Sequence, residues 1–170
     1  MRLSDYTDYT LRVLMYCAAN RDRLVTIAEI AHGHQISKNH LMKIVNDLAR
    51  QGVLETTRGR GGGLRLLKAP AAIRVGDVLR SAETDFRLVE CFDASTDTCT
   101  LTPTCRLRGV LGNALRAYFA ELDAVTLDDI TGSGARRESA GAAATNPVTV
   151  TSMLKDPLPR RPREPGPDRP

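Results

Sequence analysis

Apolar residues recur at helical spacing over the first fifty positions and then give way to short strand-like runs. Leu11, Leu14, Met15 and Ala18 fall on one stripe of a helix predicted from Ser4 or Asp5 to about Asn20. Asp5 and Asp8 occupy its first turn, where the helix dipole favours negative charge. A second helix is announced by Thr26-Ile27-Ala28-Glu29, a capping box in which hydroxyl and carboxylate satisfy backbone donors. Ile27, Ile30 and Ala31 supply its buried side, and Gly33 offers a tight turn. Ser37 is a natural N-cap for a third helix ending near Gly52, with Leu41, Ile44, Val45 and Leu48 as its buried stripe.

The far side of that third helix carries Asn39, Lys43, Asn46 and Arg50, with Lys38 and His40 near its start. Amides and cations pair with base edges and phosphates, and recognition helices approach bases with their N-terminal residues. A solvated charged face has a similar composition, so the segment beyond the helix has to decide between the two. Leu54-Glu55-Thr56-Thr57-Arg58 and Leu64-Arg65-Leu66-Leu67 flank Gly59-Arg60-Gly61-Gly62-Gly63, which predicts a basic hairpin or wing. A phosphate-cradling loop of a nucleotide enzyme needs a helix after its glycines, whereas here the glycines lead into a strand and Lys68-Ala69-Pro70. Helix, helix, polar-faced helix and basic hairpin form a winged helix-turn-helix. Its DNA-contacting candidates are Ser37, Lys38, Asn39, His40, Lys43, Asn46, Arg50, Arg58, Arg60 and Arg65.

Ile73, Val75, Val78 and Leu79 predict a short return strand and helix closing this part. The chain then turns polar until a long helix from about Cys105 to Asp123. There Leu107, Val110, Leu111, Ala114, Leu115, Tyr118, Phe119 and Leu122 make an apolar face too broad for the surface helix of a small monomer. Dimerisation through Leu107, Leu111, Ala114, Leu115, Tyr118 and Leu122 accounts for the excess. It also suits two-fold reading of DNA half-sites, although the helix could instead fold back on its own domain. The fold class is therefore mainly α with a small β-wing: a winged helix-turn-helix plus a long dimerisation helix.

Charge sharpens this picture. The chain of 170 residues has a net charge of +4. Residues 38–68 hold seven basic against two acidic side chains and residues 133–170 seven against four, which leaves the rest net acidic. A basic segment on an acidic body is what a nucleic-acid footprint looks like. Seven of the nine prolines lie between Pro147 and Pro170, which predicts a disordered tail over 132–170. The expected organisation is 1–84 winged domain, 85–106 cysteine loop, 107–131 dimerisation helix with a short C-terminal helix, and then the tail. No internal repeat is present, and no apolar run has the length of a membrane span, so a cytoplasmic protein without membrane contact is expected.

Cys91, Cys99 and Cys105 sit in the polar loop, separated by gaps of seven and five residues. In a reducing compartment such a group holds a metal or does redox work more often than it forms a disulfide. Zinc with three thiolates and a carboxylate satisfies tetrahedral preference, but this spacing is not that of a zinc finger. A thiol oxidoreductase is the enzyme alternative, yet the CxxC pair and a neighbouring histidine are both missing; the histidines are His32, His34 and His40. Cys17, on the first helix, reads as a small packed residue.

Four stretches carry a resemblance. They are Leu3-Ser4-Asp5-Tyr6-Thr7-Asp8-Tyr9 with Leu11-Arg12, Ile36 to Asn46, the wing Arg58 to Leu66, and Leu101-Thr102-Pro103-Thr104-Cys105-Arg106-Leu107. Over residues 1–131 the chain resembles the winged-helix regulators that include the iron-sulfur regulator IscR, and most closely their nitric-oxide-sensitive branch. The resemblance implies an iron-sulfur cluster held by Cys91, Cys99 and Cys105, with Asp8 of the partner subunit as an oxygen ligand. A 4Fe-4S cluster is implied first and 2Fe-2S as the alternative. From the residues alone, Asp8 with Arg12 at i+4 is ordinary helix chemistry. The implied function is a homodimeric, non-enzymatic transcriptional repressor that binds operator DNA and releases it when nitric oxide nitrosylates the cluster, freeing nitric-oxide detoxification genes. A regulator answering to cluster supply, redox state or iron is the alternative within the same fold. Two departures stand out: the gap from Cys91 to Cys99 is longer than the family pattern, and Arg108 stands where the histidine-ligated branch has its histidine.

Overall fold

The computed structural model describes residues 2–132; Met1 and residues 133–170, and with them all of the expected tail but Gly132, lie outside the described residues. Helix α1 spans Asp5–Ala19, and its cap Ser4 accepts from the Thr7 N–H. Helix α2, Ile27–His34, starts at the capping box of Thr26 and Glu29, with both reciprocal bonds made. Helix α3, Lys38–Arg50, is capped by Ser37 and buries Leu41, Ile44, Val45 and Leu48, the stripe its spacing predicts.

Two local expectations are corrected. Leu14 and Ala18 are buried as expected, but Met15 is 38% exposed and Leu11 only partly covered, and Thr7, Thr10, Val13 and Cys17 complete the buried face of α1. The threonines can be buried because their hydroxyls find partners: Thr10 donates to the Tyr6 carbonyl at 2.7 Å, and Thr7 shares a 3.2 Å bond with Ser4. Gly33 lies inside α2 rather than at its turn. The left-handed residue that ends the helix is Gln35, φ 55°, whose N–H bonds to the Ala31 carbonyl.

Strands β1, Leu54–Thr57, and β2, Gly63–Leu66, pair antiparallel with Leu54 opposite Leu66 and Thr57 opposite Gly63. Arg58 and Leu67 therefore fall just outside the ladder. Val25 adds an unanticipated isolated bridge to β2, pairing with Leu64 by bonds of 3.0 and 2.8 Å. Gly63 permits this approach, since a Cβ there would lie 2.6 Å from the Val25 carbonyl oxygen.

Helix α4, Val75–Ala82, comes after a short 3-10 turn at Pro70–Ala72. The expected return strand reduces to an isolated bridge between Arg74 and Thr126. Beyond the cysteine loop, α5 runs over Arg106–Ala124 with Cys105 as its cap residue. Helix α6, Leu127–Thr131, opens with a second capping box, Thr126 with Asp129. Its Leu127 is 1% exposed and joins Val13, Leu14, Leu41 and Leu48 in one core, so the chain returns to the winged half after α5. No described helix is long and apolar enough to cross a membrane.

Candidate nucleic-acid interface and cysteine loop

The exposed side of α3 carries Lys38, Asn39, His40, Lys43, Asn46 and Arg50, all solvent-accessible, and Ser37 holds the first turn by accepting from the His40 N–H at 3.3 Å. One flank of this face leans on α1. The Tyr9 and His40 rings stack with centroids 6.4 Å apart, and the Lys43 ammonium sits 5.6 Å from the Tyr6 ring centroid. The Tyr6 hydroxyl donates to Asp47 at 2.7 Å, and Arg50 pairs with the same carboxylate. Burial and then the Asp47 bond push the Tyr6 hydroxyl up to about 12. The Tyr6 and Arg50 bonds hold Asp47 below the usual carboxylate range. Arg50 is thus drawn sideways by its own helix, while Lys38, Asn39 and Asn46 stand exposed. Tyr6, Tyr9 and Asp47 were not anticipated. The i,i+3 spacing of Asp47 and Arg50 signals their pairing, but nothing in the sequence signals the tyrosines.

At the wing tip Arg58 and Arg60 are exposed. Gly59 and Gly61 take φ of 94° and 79°, and a Cβ on Gly62 would fall 2.2 Å from the Thr57 carbonyl oxygen, so the tip needs these glycines. Arg65 lies on β2 directly opposite Glu55 and pairs with it at 2.7 Å. Its charge is therefore largely spent within the hairpin, unlike those of Arg58 and Arg60.

The cysteine loop is organised by short polar bonds. Arg87 bridges Asp85 and Asp93 at 2.7 and 2.8 Å. Asp97 accepts from the Cys99 N–H at 3.1 Å and the Thr102 hydroxyl at 3.0 Å. Cys91 is buried in a 3-10 turn over Glu90–Phe92, whereas Cys99 and Cys105 are half-buried. All four cysteines are free thiols. Cys105 caps α5 without a side-chain bond and lines an open groove of about 1070 Å³ together with Phe92, Pro103, Arg108, Leu115 and Phe119.

Among the described residues, no three His, Cys, Asp or Glu side chains gather closely enough to hold a metal. Asp8 is held on its own helix by Arg12, at 2.7 and 3.2 Å. The donor set nonetheless suits iron in kind: three unpaired thiols within fifteen residues, two of them accessible, at the start of an uncovered helix. None of the α5 residues is buried, and Leu107 and Val110 are 59% and 61% exposed. Leu111, Leu115, Tyr118 and Leu122 are half-buried and Ala114 is exposed. Cys17 is the contrast, a packed thiol that burial pushes up to about 12.

Comparison with known proteins completes the picture. The family described as Rrf2, iron-dependent transcriptional regulator, matches residues 3–133. The chain is 52% identical over 131 residues to the HTH-type transcriptional regulator NsrR of Bacillus licheniformis, covering 76% of this chain and 92% of that protein. The NsrR of Bacillus subtilis is 51% identical over 131 residues, 76% of this chain and 90% of that one. In fold, the chain resembles T. potens IscR, with TM-score 0.63, 20% identity and coverage of 84% and 94%. It also resembles the B. subtilis cysteine regulator CymR, with TM-score 0.60, 22% identity and coverage of 79% and 98%. A winged helix-turn-helix whose matched region runs from the α1 aspartates through the cysteine loop to the end of α6 thus finds its relatives among regulators, and the chain belongs to the Rrf2 family of iron-dependent transcriptional regulators.

Proposed function

We propose that this regulator is a homodimeric, nitric-oxide-responsive repressor of the cytoplasm that holds an iron-sulfur cluster and reads operator DNA with α3 and the wing. The observation that carries the reading is the 52% identity to an NsrR over 131 residues, beside a family match over residues 3–133 that includes both α3 and the cysteines. Cys91, Cys99 and Cys105 would hold the cluster, four-iron in first place and two-iron as the alternative, with Asp8 of the partner subunit as the oxygen ligand. When bound, the cluster would supply iron able to react with nitric oxide, and Asp8 would be its one oxygen ligand beside the three thiolates.

The chain's own residues supply the rest. Asn39 and Asn46 offer amides for base edges, Lys38, Lys43, Arg58 and Arg60 offer charge for phosphates, and His40 and Ser37 complete the N-terminal end of α3. Arg50 and Arg65 have acidic partners at hand and contribute less. Two copies pairing along Leu107, Leu111, Ala114, Leu115, Tyr118 and Leu122 would bury the face that one chain leaves open, and would set two recognition helices about one DNA turn apart. Arg12 holds Asp8 while its own guanidinium lies 5.9 Å from the Tyr9 ring, which in turn stacks on His40. Ligation at Asp8 and the posture of α3 therefore share one contiguous set of side chains.

Purification without oxygen, iron and sulfide analysis, and a band shift with nitric oxide test this. Iron and sulfide should co-purify, and nitric oxide should release DNA. Protein without iron and sulfide, binding DNA equally with and without nitric oxide, would sink the reading. The family's description as iron-dependent favours one second reading, a regulator that answers to iron or cluster supply. Release by chelator but not by nitric oxide would select it.

A further inference from the structure

Helix α5 is fastened at one end and open at the other. At its C-terminal end Asp123 takes a two-pronged bond from Arg80 of α4, 2.6 Å to each carboxylate oxygen, and Arg74 donates to the Asp123 carbonyl. The Arg80 guanidinium lies 4.5 Å from the Phe119 ring centroid, and Phe86 meets Phe119 edge-to-face at 4.7 Å. The backbone is tied at the same place, where Val75 N–H donates to Val125 and Leu127 N–H to Ile73. Gly76 makes room for this: a Cβ there would fall 1.9 Å from an Asp123 carboxylate oxygen. No comparable bond holds the N-terminal end among the described residues, where Leu107 and Val110 stand in solvent and Cys105 caps the helix.

We propose that Arg80 and Asp123 are positioning residues that fix the angle between the winged domain and α5, and through it the half-site spacing that the dimer accepts. The inference rests on the reading that α5 pairs two copies. Its size comes from leverage. At 1.5 Å per residue, the 19 residues of α5 span about 28 Å, so a tilt of about 10° at the clasp moves the far end by about 5 Å. That exceeds the ~3.4 Å between neighbouring base pairs. Exposed ion pairs add little stability, so loss of the clasp loosens the joint without unfolding either side. The fork geometry of arginine on a carboxylate is what defines an angle, because two parallel bonds resist rotation where a single one does not.

The test uses the full chain and sites obtained by in vitro selection, rebuilt with spacers one and two base pairs shorter and longer. Wild type should lose about tenfold or more in affinity per base pair of spacer change. Arg80→Gln and Asp123→Asn should flatten that preference to about threefold while staying dimeric by light scattering and helical by circular dichroism. The exchange of Arg80→Asp with Asp123→Arg should restore part of it. If Arg80→Gln does not fold, Arg80→Lys keeps the charge, loses the fork, and should give an intermediate spacing profile. Folded, dimeric variants with the wild-type spacing profile overturn the inference alone. A wild-type protein that is monomeric, or dimeric but unaffected by charges placed along α5, overturns the pairing reading and the inference with it.

Discussion

Helices α3 and α5 carry the same kind of amphipathic pattern and meet opposite fates. The stripe of α3 is 0–3% exposed at Leu41, Ile44, Val45 and Leu48, while α5 has no buried residue at all. Fully burying an aliphatic side chain is worth about 1.5–3 kcal/mol, so α3 is held along its length by its own chain, whereas α5 is fastened only towards its C-terminal end. The winged half is complete as a single copy, with the N-caps of α1, α2 and α3 made and its buried hydroxyls satisfied. The half that carries the cysteines has its apolar face unfinished. On the proposed reading, a second copy would complete that face and add the donor that Cys91, Cys99 and Cys105 lack.

The largest effect should separate the two helices by stability. Leu41→Ala should cost about 2–5 kcal/mol in urea unfolding of dilute protein, from lost burial and the cavity left behind. Leu107→Ala, on the uncovered face, should cost less than about 0.5 kcal/mol under the same conditions. Comparable losses for both would mean that α5 is covered within one chain, and the contrast between the helices would fail.

Self-association sharpens the contrast from the other side. Leu107→Glu places a charge on a residue of the proposed seam that is 59% exposed in one copy. It should leave the unfolding midpoint of dilute protein unchanged yet weaken dimer formation by about tenfold or more, because an unpaired charge would be buried by pairing. Sedimentation over a concentration series reads this directly. Unaltered association would take the α5 face out of the interface.

Much of this contrast was legible in the sequence, and what was hidden shares a cause. The stripe of α3, the capping box at Thr26 and Glu29, and the wing glycines are local patterns, and each formed as spaced. The stripe of α1 was placed only in part, at Leu14 and Ala18, because hydrophobicity ranks Met15 above Thr7 and Thr10, whereas burial depends on whether a hydroxyl finds a partner. The turn after α2 fell at Gln35 because a helical glycine is tolerated and a non-glycine residue can take the left-handed region. In the candidate site, the bonds of Tyr6 with Asp47 and Arg80 with Asp123 join residues 41 and 43 positions apart. No periodicity encodes such pairs; only the packing of α1 on α3 and of α4 on α5 brings them together.

A smaller effect probes the contact between α1 and α3. Tyr6→Phe removes one hydrogen bond to Asp47 and should cost about 1 kcal/mol. The raised hydroxyl sets the sign of its pH dependence. The folded state holds the Tyr6 proton up to about 12, against 10.0 in the unfolded chain. The stabilisation is therefore complete below pH 10 and is lost as pH rises from 10 through 12. Chemical denaturation over that window should show a shallower alkaline loss for Tyr6→Phe than for wild type. Identical slopes would mean that the bond plays no part in how α1 holds the recognition helix.

The smallest effect concerns the thiols, and it probes the two halves without perturbing the fold. Cys17 lies in the completed half, 2% exposed, its thiol pushed up to about 12 from 9.0, so in the folded chain its thiolate is scarce at neutral pH. Cys99 and Cys105 lie in the unfinished half and are partly accessible. With iron removed, alkylation at pH 8 and then peptide mass spectrometry should therefore label Cys99 and Cys105 first and Cys17 last. Urea should erase the difference, because it is the packing of α1 that protects Cys17. If Cys17 reacted as fast as the loop cysteines in folded protein, the winged half would be opening readily, and the completeness assigned to it from burial would have to be given up.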